Sequence, residues 1–256
     1  AAVAMFSRRL PEPLVARVSA VLHADGRLVV SSAASDIGTG TYTVMATIAA
    51  ASMGLPLEKV VFQLGDSNLP MAPVEGGSSH VATVGSAVEG ACENLRKRLV
   101  RLARGLSRSP FAGLKPEQAE FSGGMLRVKG KGGAEISLSE LLARSEREQV
   151  EGKFLVMPNM FKQRRYTRAV HSAVFCEVRV DEELGTVRVT RVVSAIDSGR
   201  IINPKTARSQ VIGGVVWGIS QALHEESHAD HRFGRFMNHN LAEYHVSVNA
   251  EIHDIE

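Results

Sequence analysis

Hydrophobic and polar residues alternate with period two near both ends of the chain, and a three/four spacing runs between them. Val15-Ala-Arg-Val-Ser-Ala-Val-Leu22 and Arg27-Leu-Val-Val-Ser-Ser-Ala33 flank Ala24-Asp25-Gly26. An Asp-Gly dipeptide between two such runs predicts a β-hairpin. Val44, Ile48, Ala49 and Ser52 then fall on one face of a helix. Met53-Gly54-Leu55-Pro56 closes it, with a glycine just past the last turn and proline after it. Lys59–Leu64 reads as a short buried strand ending in the turn cluster Gly65-Asp66-Ser67-Asn68. Val84, Val88, Ala91, Leu95, Leu99 and Leu102 keep a helical spacing from about residue 82 to 104.

The middle of the chain changes character. Gly, Ser and Pro thicken around 106–113, and Lys129-Gly-Lys-Gly-Gly133 is a turn. Met125–Val128 predicts a strand, and Ser137 with Glu140 three residues on is a capping box opening a short helix. From His171 the alternation returns in Val174–Val180 and Thr186–Val193, joined at Asp181-Glu-Glu-Leu-Gly185 as a second hairpin. Asn203-Pro204 is a helix entry, the asparagine capping and the proline filling the first turn. Ala207, Val211, Val215, Ile219 and Ala222 form the apolar stripe of that helix. Gly213, Gly214 and Gly218 interrupt it at roughly 1 kcal/mol each relative to alanine, a cost that predicts close approach of another backbone or a ligand. Ala242–Val248 reads as a further partial strand. The expected architecture is mixed α/β (α+β): two related strand-hairpin-plus-helix subdomains, 10–104 and 168–256, joined by a connector at 105–167.

Two stretches carry candidate chemistry. Asp36-Ile-Gly-Thr-Gly-Thr-Tyr-Thr43 stands between a strand and a helix, and Glu75-Gly-Gly-Ser-Ser-His80 precedes the long helix. The first amides of a helix lack internal partners, and the helix dipole favours negative charge there. Gly38 and Gly40 allow positive φ and close approach of a ligand, and Thr39, Thr41 and Thr43 supply hydroxyl donors. A plain strand-to-helix turn with a threonine cap explains the first stretch alone equally well. Two such turns favour a large phosphate-bearing ligand held by amides and neutral side chains.

Composition narrows the alternatives. The 256 residues carry a formal charge of only +3, with no basic patch interleaved with aromatics, so nucleic acid is not an expected partner. No apolar run reaches the length of a membrane span. The two cysteines, Cys92 and Cys176, lie outside any metal-ligand spacing and are expected as small core residues. The basic run Arg96, Lys97, Arg98, Arg101 and Arg104 suits the C-terminal end of a helix. His224-Glu-Glu-Ser-His228 fits His-x-x-x-His zinc spacing with Glu225 as base, and a zinc hydrolase is the alternative enzyme class. Its surroundings, Ser220–Arg232, are polar nearly all round, whereas a zinc-bearing helix needs an apolar face. The Walker and Rossmann glycine patterns are absent, and Ser220 lies inside a helix pattern rather than on a nucleophile elbow.

Ser35-Asp-Ile-Gly-Thr-Gly-Thr-Tyr-Thr43, Gly76-Gly-Ser-Ser-His80 with Val84-Gly-Ser-Ala-Val88, and Asp197-x-Gly-x-x-Ile-Asn-Pro204 with Gln210-x-x-Gly-Gly214 resemble, in order, the cofactor-binding large subunit of the xanthine oxidase/aldehyde oxidase family. The particular likeness is to bacterial aldehyde or isoquinoline oxidoreductase subunits. The resemblance implies molybdopterin cytosine dinucleotide as cofactor, with molybdenum held by the cofactor's dithiolene and no metal ligand from the protein. It implies Gly38, Thr39 and Gly40 on the pterin and oxo side; many members have Gln where this chain has Thr39. Thr41 and Thr43 would meet the phosphates, and Gly76 and Gly77 would lie beside the metal. Ser78, Ser79 and His80 would bind the pterin and pyrophosphate, and Gln210 the pterin edge. The implied reaction is hydroxylation of an aldehyde or N-heteroaromatic carbon with water as oxygen source. The family's general base is a glutamate in a Lys-Gly-x-Gly-Glu motif. That motif is absent here, so no catalytic residue is expected in this chain, and it is expected to be an inactive fragment on its own. Electrons would leave through an iron–sulfur subunit and an FAD subunit, because two cysteines cannot ligate a four-cysteine cluster. A cofactor-free structural or assembly domain is the non-enzyme alternative.

Overall fold

A computed structural model describes residues 15–130, 133–157 and 170–256. They fall into two compact units divided between residues 167 and 168, so the expected subdomain boundary itself lies outside the described residues, as does part of the Lys129–Gly133 turn.

In the first unit β1 (Ala16–His23) and β2 (Leu28–Ser31) make the expected antiparallel hairpin, Leu22 opposite Leu28. Gly26 takes φ +82° in its turn, and Asp25 Oδ1 accepts from the Arg27 amide at 2.9 Å. Helix α1 (Thr41–Met53) crosses to β3 (Val60–Gln63), which lies parallel to β2 with Leu28 beside Val60. Gly54 ends α1 at φ +61°, and the Gly54 and Leu55 amides both return to the Ala50 carbonyl. Only a residue without Cβ takes this left-handed position cheaply. Helix α2 (His80–Gly105) follows. A small antiparallel sheet comes next: β4 (Ala119–Ser122), β5 (Met125–Val128) and β6 (Glu135–Ser137). Ser137 then caps α3 (Leu138–Arg144), its hydroxyl accepting from the Glu140 amide at 3.1 Å.

Strand β7 (Gln149–Val156), inside the stretch expected as a connector, pairs antiparallel with β1 and completes the sheet order β3-β2-β1-β7. Ala16, Val18, Ala20 and Leu22 of β1 are fully buried, and Val84, Val88, Ala91, Leu95 and Leu99 of α2 meet the sheet. Each of these valine and leucine side chains contributes about 1.5–3 kcal/mol by leaving water. Gly152 lets β7 come against α2, since a Cβ there would stand 2.6 Å from the Leu95 nitrogen. Cys92 is in this core as expected, and burial pushes its thiol up to about 12.

In the second unit β8 (His171–Asp181) and β9 (Thr186–Asp197) form the second expected hairpin, with an irregularity between Glu177 and Val178. Asn203 caps α4 (Pro204–Leu223), its Oδ1 accepting from the Lys205 and Thr206 amides at 3.1 and 3.3 Å. A two-residue ribbon, β10 (Ala229–Asp230) with β11 (Arg235–Phe236), follows. Strand β12 (Asp254–Ile255) runs parallel to β9. The core is small: Val189, Val192 and Ile219, with Val215 and Ile252 against them. The architecture is thus mixed α+β.

Three expectations need correction. Cys176 is exposed rather than in a core, because among the described residues β8 pairs with β9 alone and buries none of its residues. A Cβ at Gly213, Gly214 or Gly218 would meet nothing within 4 Å among the described residues, so these residues supply none of the close backbone packing expected there. Ala242–Val248 is not a strand: Asn240 Oδ1 accepts from the Ala242 amide at 2.9 Å, the Asn240 carbonyl accepts from Tyr244 at 2.8 Å, and the backbone turns instead.

Candidate functional site

The two glycine turns of the first unit open α1 and α2, and they differ in what occupies their donors. In the first, Gly38 and Gly40 take φ +99° and +85°, curling the chain around the Asp36 side chain. Asp36 Oδ1 accepts from the amides of Gly38 at 2.9 Å and Gly40 at 3.1 Å, and Oδ2 from Tyr42 at 3.4 Å. Partial burial opposes ionisation of Asp36, but these amides and that of Thr41 outweigh it and hold the carboxyl below its usual value. The N-terminus of α1 therefore already holds an anion, its own.

The hydroxyls of this turn are also engaged. Ser35 donates to Glu75 Oε2 at 2.7 Å, Thr39 to Glu75 Oε1 at 3.0 Å, and Thr41 reaches the same oxygen at 3.5 Å. Thr41 is 1% exposed, so contact with a phosphate needs its hydroxyl to leave Glu75. Thr43 is exposed on the first turn of α1, where its carbonyl accepts from Thr47 at 2.8 Å.

The second turn is open. Gly77 and Ser78 both take left-handed backbone, φ +58° and +57°, and a Cβ on Gly76 would meet nothing within 4 Å. Ser79 donates to the Gly76 carbonyl at 3.2 Å rather than capping the helix, and no acidic residue stands in the first turn of α2. The amides of Gly77, Ser78, His80, Val81 and Ala82 have no protein acceptor among the described residues. His80 is 5% exposed, and neither ring nitrogen has a partner among the described residues. A buried, unpaired imidazole beside free helix amides is an arrangement that a hydrogen-bonding ligand would complete.

The structure brings Ser35, Thr39 and Thr41 to the second turn through Glu75, which the sequence reading passed over. Nothing local marks Glu75, because its partners lie 34 to 40 residues earlier. Gln210 is exposed on α4 of the second unit. That unit also has an open cavity of about 320 Å³ lined in part by Ser227, Phe236, His239 and Tyr244. None of the site residues expected from sequence lines it.

The geometry does not favour the zinc alternative. Helix α4 stops at Leu223, so His224 and His228 do not share a helical face. His224 Nε2 stands 3.6 Å from Glu251, and His228 Nε2 stands 3.9 Å from Glu226. Glu225, the base that reading requires, accepts from the Tyr244 hydroxyl at 2.8 Å. Hydrogen bonds from Ser220 and Tyr244 hold its carboxyl below the usual value, the wrong direction for a base.

Comparison with known proteins places the chain in a family. A model of the molybdopterin cofactor-binding domain matches residues 2–253. The chain is 37% identical over 250 residues to the aldehyde oxidoreductase molybdenum-binding subunit PaoC of Escherichia coli (strain K12), covering 96% of this chain and 31% of that protein. It is 28% identical over 205 residues to the 6-hydroxypseudooxynicotine dehydrogenase complex subunit gamma of Paenarthrobacter nicotinovorans, covering 78% and 25% respectively. Among solved structures it resembles quinoline 2-oxidoreductase from Pseudomonas putida 86, with a TM-score of 0.80 at 22% identity over 94% of this chain and 30% of that one. The chain spans about a third or less of the length of these curated relatives.

Proposed function

Since the chain belongs to the molybdopterin cofactor-binding domain family, we propose that it is the cofactor-holding part of a molybdenum hydroxylase oxidising aldehydes or N-heteroaromatics, with water as oxygen source. The observation that carries this reading is the second glycine turn: unpaired α2 amides and the buried, unpartnered His80 ring. That donor set fits a polar, anionic group such as a pterin dinucleotide. The helix end favours its negative charge, and neutral donors match its oxygens.

Ser78, Ser79, His80 and the first α2 amides are proposed to hold the pterin and pyrophosphate. Gly76 and Gly77 are proposed to lie beside the metal, where the open space at Gly76 leaves room for substrate. Gly38, Thr39 and Gly40 would face the pterin from the other turn, with Thr41 and Thr43 toward the phosphates. Gln210 is proposed for the pterin edge on the resemblance alone. When bound, the cofactor supplies the two-electron oxidation of the substrate carbon. The residues of this chain bind and orient it, and the general base is proposed to lie outside the chain.

The dinucleotide is proposed to be the cytosine form. The electron route is proposed to run through iron–sulfur and FAD partner subunits; relatives of this chain are themselves named as subunits. The test uses the intact natural polypeptide purified with its partners. It should yield molybdenum, fluorescent oxidised pterin and CMP in equal amounts per polypeptide. Zinc in place of molybdenum, lost on His228→Ala and without pterin, would reverse the assignment.

A further inference from the structure

We propose that Glu75 is a positioning residue that fixes the two glycine turns relative to one another before the cofactor arrives. The proposal rests on the reading of the site given above. Among the described residues, every side-chain hydrogen bond between the stretches 35–43 and 75–80 ends on Glu75. Its two oxygens divide the work: Oε2 accepts from Ser35 at 2.7 Å, while Oε1 accepts from Thr39 at 3.0 Å and more loosely from Thr41 at 3.5 Å. Thr39 and Thr41 are themselves 3.3 Å apart, oxygen to oxygen.

Bonds to an ionised acceptor are stronger and more directional than neutral ones, so three donors on one carboxylate define its place well. Glu75 immediately precedes Gly76 and Gly77, which have no side chains of their own with which to hold position. The Thr39 side of the clamp lies between Gly38 and Gly40, whose amides are fixed by Asp36. Asp36 thus shapes the first turn from within, and Glu75 ties the second turn to it. An unanchored Gly-Gly segment would have to be ordered by the cofactor at a cost in affinity; an anchored one is ordered already. The carboxylate does not compete with the cofactor's anionic groups for donors, because it accepts from hydroxyls of the first turn and leaves the amides at the α2 terminus without protein acceptors among the described residues.

The experiment compares wild type, E75A, E75Q, T39V and the double variant T39V/E75A, each as the intact polypeptide with its partners. Two quantities are read: the rate at which molybdenum and pterin are lost on prolonged dialysis, and the melting temperature after the cofactor is stripped. Losing bonds to a charged acceptor should raise the loss rate in E75A by about tenfold or more. Because a glutamine keeps Oε1 for Thr39 and turns its amide toward Ser35, E75Q should stay within about threefold of wild type. T39V should release cofactor faster than wild type, and T39V/E75A no faster than E75A alone, since both remove the same link. Stripped E75Q should melt with the wild type.

Wild-type cofactor retention in E75A overturns the proposal, as does multiplication of the two effects in the double variant. Should E75A fail to fold, Ser35→Ala decides, since Ser35 donates to Glu75 Oε2 at 2.7 Å and has no proposed contact with the cofactor: retention equal to wild type overturns the proposal, and faster release rescued by Ser35→Thr supports it. Absence of molybdenum and pterin from the wild-type protein overturns the reading of the site along with it.

Discussion

Gly54→Ala is expected to lower the melting temperature of the first unit by about 6–12 °C. Two causes add. Gly54 sits at φ +61°, where an L side chain costs about 1–2 kcal/mol. Its Cβ would also lie 2.8 Å from the Ser122 nitrogen and overlap the Phe121 carbonyl, which is backbone and cannot rotate away. Pushing α1 off the β4–β5 turn would strain the bond from the Gly124 amide to the Gly54 carbonyl, 3.0 Å long, at about 1–3 kcal/mol of overpacking. Gly123→Ala is the control: its φ is +59°, yet a Cβ there meets nothing within 4 Å. It should show the conformational cost alone, about 3–6 °C. Calorimetry of the cofactor-stripped protein measures both. Equal shifts for the two variants would show that the contact of α1 with the β4–β5 turn is not tight.

His80→Leu is expected to act in opposite directions on stability and on cofactor binding. An unpaired buried polar group costs about 1–3 kcal/mol, and leucine of similar volume removes that cost. The stripped protein should therefore melt about 3–9 °C higher than wild type. The same change removes a donor or acceptor beside the free α2 amides, and cofactor content should fall about tenfold, equivalent to one hydrogen bond of about 1.4 kcal/mol. His80→Gln, which keeps polar atoms, should bind better than His80→Leu and melt lower. A stripped His80→Leu protein that melts below wild type would show that the imidazole is paired in solution.

Much of the fold could be read from sequence because its signals are local. The Asp25-Gly26 turn, the Gly54-Leu55-Pro56 stop, the Ser137 cap and the Asn203-Pro204 entry each act within four residues, and each stands where expected. The α2 stripe was legible for the same reason: one long helix with one buried face. What failed depended on distant partners. Strand β7 reads as connector because only its pairing with β1, more than 120 residues earlier, makes it part of the sheet. Cys176 has the alternation of a half-buried strand, but burial depends on what covers the strand. Ala242–Val248 differs in failing on a local signal: it has strand composition, but the Asn240 side chain two residues ahead wins the backbone for a turn.

The site divides in the same way. Its glycine turns stood out as local patterns, and so did the helices they open. Which turn remains available to an anion did not, since that depends on Asp36 folding back on its own loop and on hydroxyls reaching Glu75 across 34 to 40 residues. The His224/His228 pattern is the converse case. Its spacing is right, but helix α4 ends one residue before it begins.

The most direct test of the central claim is X-ray diffraction from crystals of the intact polypeptide with its partners, recorded above and below the molybdenum absorption edge. A single anomalous peak beside Gly76 and Gly77, with continuous density from it to the first turn of α2, is the predicted result. A metal peak between His224 and His228 that responds at the zinc edge, or molybdenum located away from both glycine turns, would contradict it.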